Sequence, residues 1–126
     1  MGFPAPVYVI DDDPGMLEST RFLLGSLDIQ SRIFSDPLAF LQELNDLAPG
    51  CVLTDLSMPS MSGIELHGAL RDRKVEWPVV LMSGDADPKS GAASLRTGIF
   101  DFLEKPFTVE RLLEVLEGAR QKLNSD

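Results

Sequence analysis

Short apolar runs punctuate this chain, and each is followed by a polar signal. Val7-Tyr8-Val9-Ile10 precedes Asp11-Asp12-Asp13, and Cys51-Val52-Leu53-Thr54 precedes Asp55. Val79-Val80-Leu81-Met82 precedes Ser83, and Ile99-Phe100-Asp101-Phe102-Leu103 precedes Glu104-Lys105-Pro106. Apolar runs of this length bounded by breakers read as strands covered on both faces. Helical patterns fill the intervals. Asp13 caps a helix over 14–26 with Pro14 at its first position, and Met16, Thr20, Leu23, Leu24 and Leu27 recur at helical spacing. Residues 29–34 form a second, more polar strand, suited to a sheet edge. Asp36-Pro37 repeats the cap-then-proline signal, with Leu38, Leu41, Leu44 and Ala48 as the inward face. Pro49-Gly50 breaks that pattern before strand three, 51–54. A loop over 56–63, a helix over 64–73, a strand over 78–82 and a loop over 84–88 follow. A weak helix over 89–97 carries Gly91 and stops at Gly98 before the last strand, 99–103. Thr108 caps a final helix whose stripe is Val109, Leu112, Leu113, Leu116, Ala119 and Leu123.

Five βα units predict an α/β fold: a flavodoxin-like (βα)5 doubly wound parallel sheet of five strands in the order 2-1-3-4-5. The 126 residues make one domain, 1–126, with a core over about 6–123. The stretch 120–126 reads as a fraying helix end or as the start of a linker to an output domain not present in this chain. In this topology the order reverses between strands one and three, and ligands collect outside the carboxyl ends of the strands. Asp11, Asp12 and Asp55 then share one crevice.

Composition narrows the partners. Eleven basic and 20 acidic residues leave a net charge of −9, so direct binding to DNA, RNA or an anionic membrane is not expected. Cys51 is the only cysteine, which excludes an internal disulfide and fits a reducing compartment. The N-terminus lacks the signal-peptide pattern, and no apolar run reaches membrane-spanning length. A cytoplasmic location is expected. His67 reads as a surface or half-buried residue and Trp77 as packing.

Three carboxylates in one crevice repel one another unless a cation joins them. Hard oxygen donors on a short loop suit Mg2+ or Mn2+, for which two carboxylates and one backbone carbonyl suffice. Ser83 and Lys105 add a hydroxyl and an ammonium at the same edge. Metal, cation and hydroxyl together cradle a phosphoryl group, and Asp55 becomes the nucleophile that takes it. An aspartyl-nucleophile phosphatase needs a second acid two residues after the nucleophile, where this chain has Ser57. A flavin mononucleotide site needs a phosphate-cradling loop after strand one, where Asp11-Asp12-Asp13 repels phosphate.

From Val7 to about Leu123 the chain resembles a response-regulator receiver domain of two-component signalling. The segments that carry the likeness are Val9 to Asp13, Thr54-Asp55-Leu56-Ser57-Met58-Pro59, Met61-Ser62-Gly63, Met82-Ser83-Gly84 and Phe102 to Phe107. They are most similar to FixJ-type receivers, which precede LuxR-type helix-turn-helix domains. The resemblance implies a phosphorylation switch rather than an enzyme, with Asp55 as phosphoacceptor for a sensor histidine kinase. Asp12, Asp55 and the Ser57 backbone carbonyl would bind the metal directly, and Asp11 through water. Ser83 would be the switch hydroxyl, Lys105 the phosphate-contacting cation, Phe102 the rotating aromatic and Lys105-Pro106 a cis peptide. Ser57 and Asp85 would flank the path of a hydrolytic water and set the lifetime of the phosphorylated form. The segment 84–98 would move with Ser83. Arg96, Asp101 and Glu104 would lie exposed on a face of the fourth helix, fifth strand and fifth helix that can pair with its own copy. DNA would be reached only through an attached output domain, and the alternative is a stand-alone adaptor.

Overall fold

A computed structural model describes residues 5–84 and 98–124. Strands β1 (Val7–Ile10), β2 (Ser31–Phe34), β3 (Cys51–Asp55), β4 (Val79–Ser83) and β5 (Asp101–Glu104) form one sheet. Every pairing is parallel and the order is β2-β1-β3-β4-β5, as the sequence pattern predicts. The helices among the described residues are α1 (Pro14–Ser26), α2 (Pro37–Glu43), α3 (Gly63–Asp72) and α4 (Val109–Asn124). A 3-10 turn, Leu44–Asp46, extends α2. The expected helix over 89–97 lies outside the described residues.

The central strands alternate between two cores, although neither face is polar. Val7, Val9, Leu53, Val80 and Met82 point to one face, where Leu17 and Leu24 of α1 and Leu112, Val115, Leu116 and Ala119 of α4 cover them. Tyr8, Ile10, Val52, Val79 and Leu81 point to the other, under Phe40 and Leu44 and under Leu66 and Leu70 of α3. Burial on both faces is why these strands read as continuous apolar runs. β2 lies at the edge and is only partly covered, which accounts for its polar sequence.

Helix starts follow the sequence signals. Asp13 accepts the Gly15 and Met16 N–H groups at 2.9 and 3.3 Å, and Asp36 accepts that of Leu38 at 2.9 Å. Thr108 accepts the Arg111 N–H at 3.1 Å. Ser62 and Glu65 form a reciprocal capping box that starts α3 one residue earlier than expected, at Gly63.

Three inward faces differ from the pattern read along the chain, and on α1 the difference is that Leu17 is buried while Met16 is only half-buried. On α2 the buried residues are Pro37 and Phe40, continued by Leu44, whereas Leu38 and Ala48 are exposed. The helix turns its largest ring inward, against Phe34 and Tyr8 at centroid separations of 5.3 and 5.7 Å. Aromatic burial outweighs that of one leucine, and the seven-residue helix is too short for its leucine spacing to set the face. On α4 the stripe is Leu112, Val115, Leu116 and Ala119, while Val109 and Leu113 remain more than a third exposed.

Candidate functional site

Strand register brings the site together. Ile10 lies opposite Thr54, so Asp11 and Asp55, the next residues, leave the sheet side by side. Ser83 ends β4 opposite Glu104, and the Lys105 N–H donates to the Ser83 carbonyl at 2.7 Å. That backbone bond carries the β4–β5 pairing one residue further and aims Lys105 back across the sheet edge. Its ammonium lies 3.1 Å from Asp11 Oδ2 and 3.5 Å from Asp55 Oδ1.

The four charged groups are not equivalent. Asp11 is only 1% exposed, and both its oxygens are engaged: Oδ2 by Lys105, Oδ1 by the Asp13 N–H at 3.0 Å. Asp12 is exposed at the rim. Asp55 is half-buried between them. Burial pushes its carboxyl above the ordinary range, Lys105 opposes that shift, and Asp11 and Asp12 add to it. One oxygen from each of Asp11, Asp12 and Asp55 can fall within 4.8 Å of the others. Three carboxylates less one ammonium leave two negative charges when all are ionised. An all-oxygen donor set with that excess fits a hard divalent cation of the Mg2+ or Mn2+ type.

The loop after β3 is seated tightly on this edge at its two ends. The Leu56 N–H donates to the Met82 carbonyl at 2.8 Å, and the Gly63 N–H donates to the Leu56 carbonyl at 2.9 Å. A Cβ at Gly63 would stand 2.6 Å from both the Asp55 carbonyl oxygen and Leu81 Cδ2. Only glycine lets α3 begin so close to the backbone of Asp55. Ser57 is exposed on this loop, and Ser60 Oγ donates to Asp36 Oδ1 at 3.0 Å.

The other residues singled out in the sequence take distinct places. Ser83 is buried at 7% exposure. Phe102 is half-buried against the core on the α2–α3 side. The Lys105–Pro106 peptide is cis. Asp101 is half-buried rather than exposed: it accepts the Phe102 N–H at 2.7 Å and pairs with Arg111 at 3.3 Å, because edge strand β5 lies beneath α4. Glu104 is exposed. Asp85, Arg96 and most of 84–98 lie outside the described residues. His67 is half-buried, and burial followed by Arg71 pushes its pKa down. Trp77 stacks on Tyr8 with a centroid separation of 5.6 Å. His67 and Trp77 line a cleft of about 340 Å³ below the starts of β4 and β5, at the end of the sheet away from the acids.

Two contacts have no counterpart in the sequence reading. Arg111 bonds to Asp101 and, at 3.4 Å, to the Phe102 carbonyl, so α4 grips the backbone of that aromatic. The Ser60–Asp36 bond joins two loops that are 24 residues apart. No local spacing announces either contact.

Residues 7–117 match the family described as the response regulator receiver domain. The chain belongs to the response regulator receiver family. This receiver is 40% identical over 113 residues to the transcriptional regulatory protein FixJ of Bradyrhizobium diazoefficiens, covering 90% of this chain and 55% of that protein. It is 34% identical over 113 residues to the response regulator protein TmoT of Ectopseudomonas mendocina, covering 90% of this chain and 51% of the other. The crystal structure of full-length FixJ from B. japonicum matches with a TM-score of 0.89 at 38% identity, covering 95% of this chain and 59% of that one. The crystal structure of FixJ-N matches with a TM-score of 0.88 at 31% identity, covering 94% and 95%. The receiver is thus FixJ-like, and it spans about half the length of the curated relatives it matches. No helix among the described residues is long and apolar enough to cross a membrane.

Proposed function

We propose that this receiver is a phosphorylation switch in which Asp55 accepts a phosphoryl group from a sensor histidine kinase. The observation that carries this reading is the junction of Asp11, Asp12, Asp55 and Lys105 at one sheet edge, with the Lys105 ammonium 3.5 Å from Asp55 Oδ1. An Asp55 oxygen attacks the phosphorus of a phosphohistidine. The new P–O bond forms as the P–N bond breaks, and the imidazole leaves with the electron pair. Burial and the neighbouring acids, which hold the Asp55 pKa up, make this carboxylate a better nucleophile than an exposed one, and Lys105 opposes that rise.

Asp12, Asp55 and the Ser57 carbonyl would hold the metal directly, and Asp11, both of whose oxygens are engaged within the chain, would act through water. Bound Mg2+ or Mn2+ supplies compensation for the charge on the phosphoryl oxygens. Lys105 follows the oxygen it already faces and stabilises the charge developing on the transferred group. Ser83 donates its hydroxyl to a phosphoryl oxygen, and Phe102 turns into the space released. Ser57 and Asp85 tune the lifetime of the acyl phosphate. The changed face beside β5 then pairs with a second copy and regulates transcription through an attached DNA-binding domain, reached by a linker that starts near the end of α4. The setting is cytoplasmic.

Incubation with Mg2+ and acetyl phosphate, followed by intact-mass measurement, tests the reading. One phosphoryl group is expected on the parent and none on Asp55→Asn. An unmodified parent at early times, with no binding of a stable phosphoryl mimic, would overturn it.

A further inference from the structure

The loop that presents Ser57 is hydrogen-bonded at both ends, and between them Met58 and Met61 pack against the core while polar support is sparse. Its ends are held by Leu56 on Met82 and by Gly63 on Leu56. Between them, among the described residues, the backbone of 57–61 makes no hydrogen bond to other backbone. The tie that reaches this span is the side-chain bond from Ser60 Oγ to Asp36 Oδ1, 3.0 Å long. Asp36 is itself immobilised, because the same oxygen caps α2 through the Leu38 N–H at 2.9 Å. We propose that Ser60 and Asp36 are positioning residues for the metal: their bond holds the 57–61 span against the start of α2 so that the Ser57 carbonyl is already in place for a divalent cation. This rests on the reading of the acidic crevice as a metal site with the Ser57 carbonyl among its ligands.

The physical case turns on how strict the cation is. Mg2+ demands near-octahedral ligands at short, narrowly defined distances, whereas Ca2+ accepts longer and more variable ones. Asp55 ends β3 and is held by the sheet, and Asp12 lies two residues past β1, in the three-residue turn that leads straight into α1. The carbonyl lies on the longer of the two connections, between β3 and α3, so the cost of ordering it falls on binding unless the loop is ordered beforehand. Outer contacts that orient ligands commonly change metal affinity without touching the metal. Asp36, Ser60, Met58 and Pro59 also line a shallow groove of about 210 Å³ that reaches Asp12, so the tie lies beside the site and not within it.

The test is calorimetric titration of the intact chain with Mg2+ and, separately, Ca2+. Ser60→Ala is expected to weaken Mg2+ binding about fivefold, Ca2+ binding less, and to leave the melting temperature without metal unchanged. Ser60→Thr, which keeps the hydroxyl, is expected to restore Mg2+ affinity. In the Asp36→Ala background, Ser60→Ala is expected to add no further loss, as required if the two act through one bond. Equal Mg2+ affinity in parent and Ser60→Ala, or equal losses for Mg2+ and Ca2+, would overturn the inference while leaving the metal site standing. A parent that takes up no divalent cation would overturn the reading of the crevice and this inference with it.

Discussion

At Asp55, burial and two neighbouring acids favour the neutral carboxyl while one ammonium opposes them. Its pKa in the folded chain therefore lies above that in the unfolded chain. The stability linked to it is fully present below the ordinary carboxylate range and is lost as pH rises through the folded value. Asp55→Asn in metal-free buffer is accordingly expected to melt higher than the parent at neutral pH, with the gap closing as pH falls into the acid range; thermal scans across pH check this. Thr20 offers a simpler case. The residue is 2% exposed on α1 and its hydroxyl has no hydrogen-bond partner among the described residues, so it carries a desolvation cost with no return. Thr20→Val keeps the shape and removes that group, and chemical denaturation is expected to show a gain of about 1 kcal/mol. Thr20 was legible in the sequence as a member of the α1 stripe. That its hydroxyl is unpartnered was not, because pairing depends on what faces it.

At the scale of elements, the decisive junction is β3 to α3. Any side chain at Gly63 meets the Asp55 carbonyl and Leu81 Cδ2 at 2.6 Å, and the carbonyl, being backbone, cannot yield without shifting the strand that carries the site. Gly63→Ala is expected to cost roughly 1–3 kcal/mol by denaturant titration and to disturb phosphorylation in the fraction that folds. The strands and most helix starts were legible because their causes are local: apolar runs, Asp-Pro pairs and the Thr108 cap. The faces of α2 and α4 were not. There the sheet chose which ring or branched side chain to bury, so Phe40 displaced Leu38 and Val115 joined the stripe in place of Val109. Asp11, Asp55, Ser83 and Lys105 could be grouped in advance because each follows a strand, and a parallel sheet delivers all its strand ends to one edge. Ser60 and Asp36 sit in loops, where no periodicity fixes position, and only the folded chain shows them meeting.

For the whole molecule, a net charge of −9 sets the terms of its partnerships. The chain alone is expected to leave duplex DNA unretarded even at low salt, where phosphate contacts are strongest; an electrophoretic shift assay at low ionic strength checks this. The transcriptional role proposed above would therefore need DNA contacts made by something other than this chain, which spans about half the length of its curated relatives. A different consequence follows from β3, the middle strand of the five. Cys51, the chain's single cysteine, opens that strand fully buried, and burial pushes its thiol up to about 12 against a small pull from Arg120. A thiol in that state ignores alkylating reagents for as long as its neighbours on both sides stay zipped. The molecule thus carries its own tamper seal: every labelled cysteine records one moment when the centre of the sheet came apart.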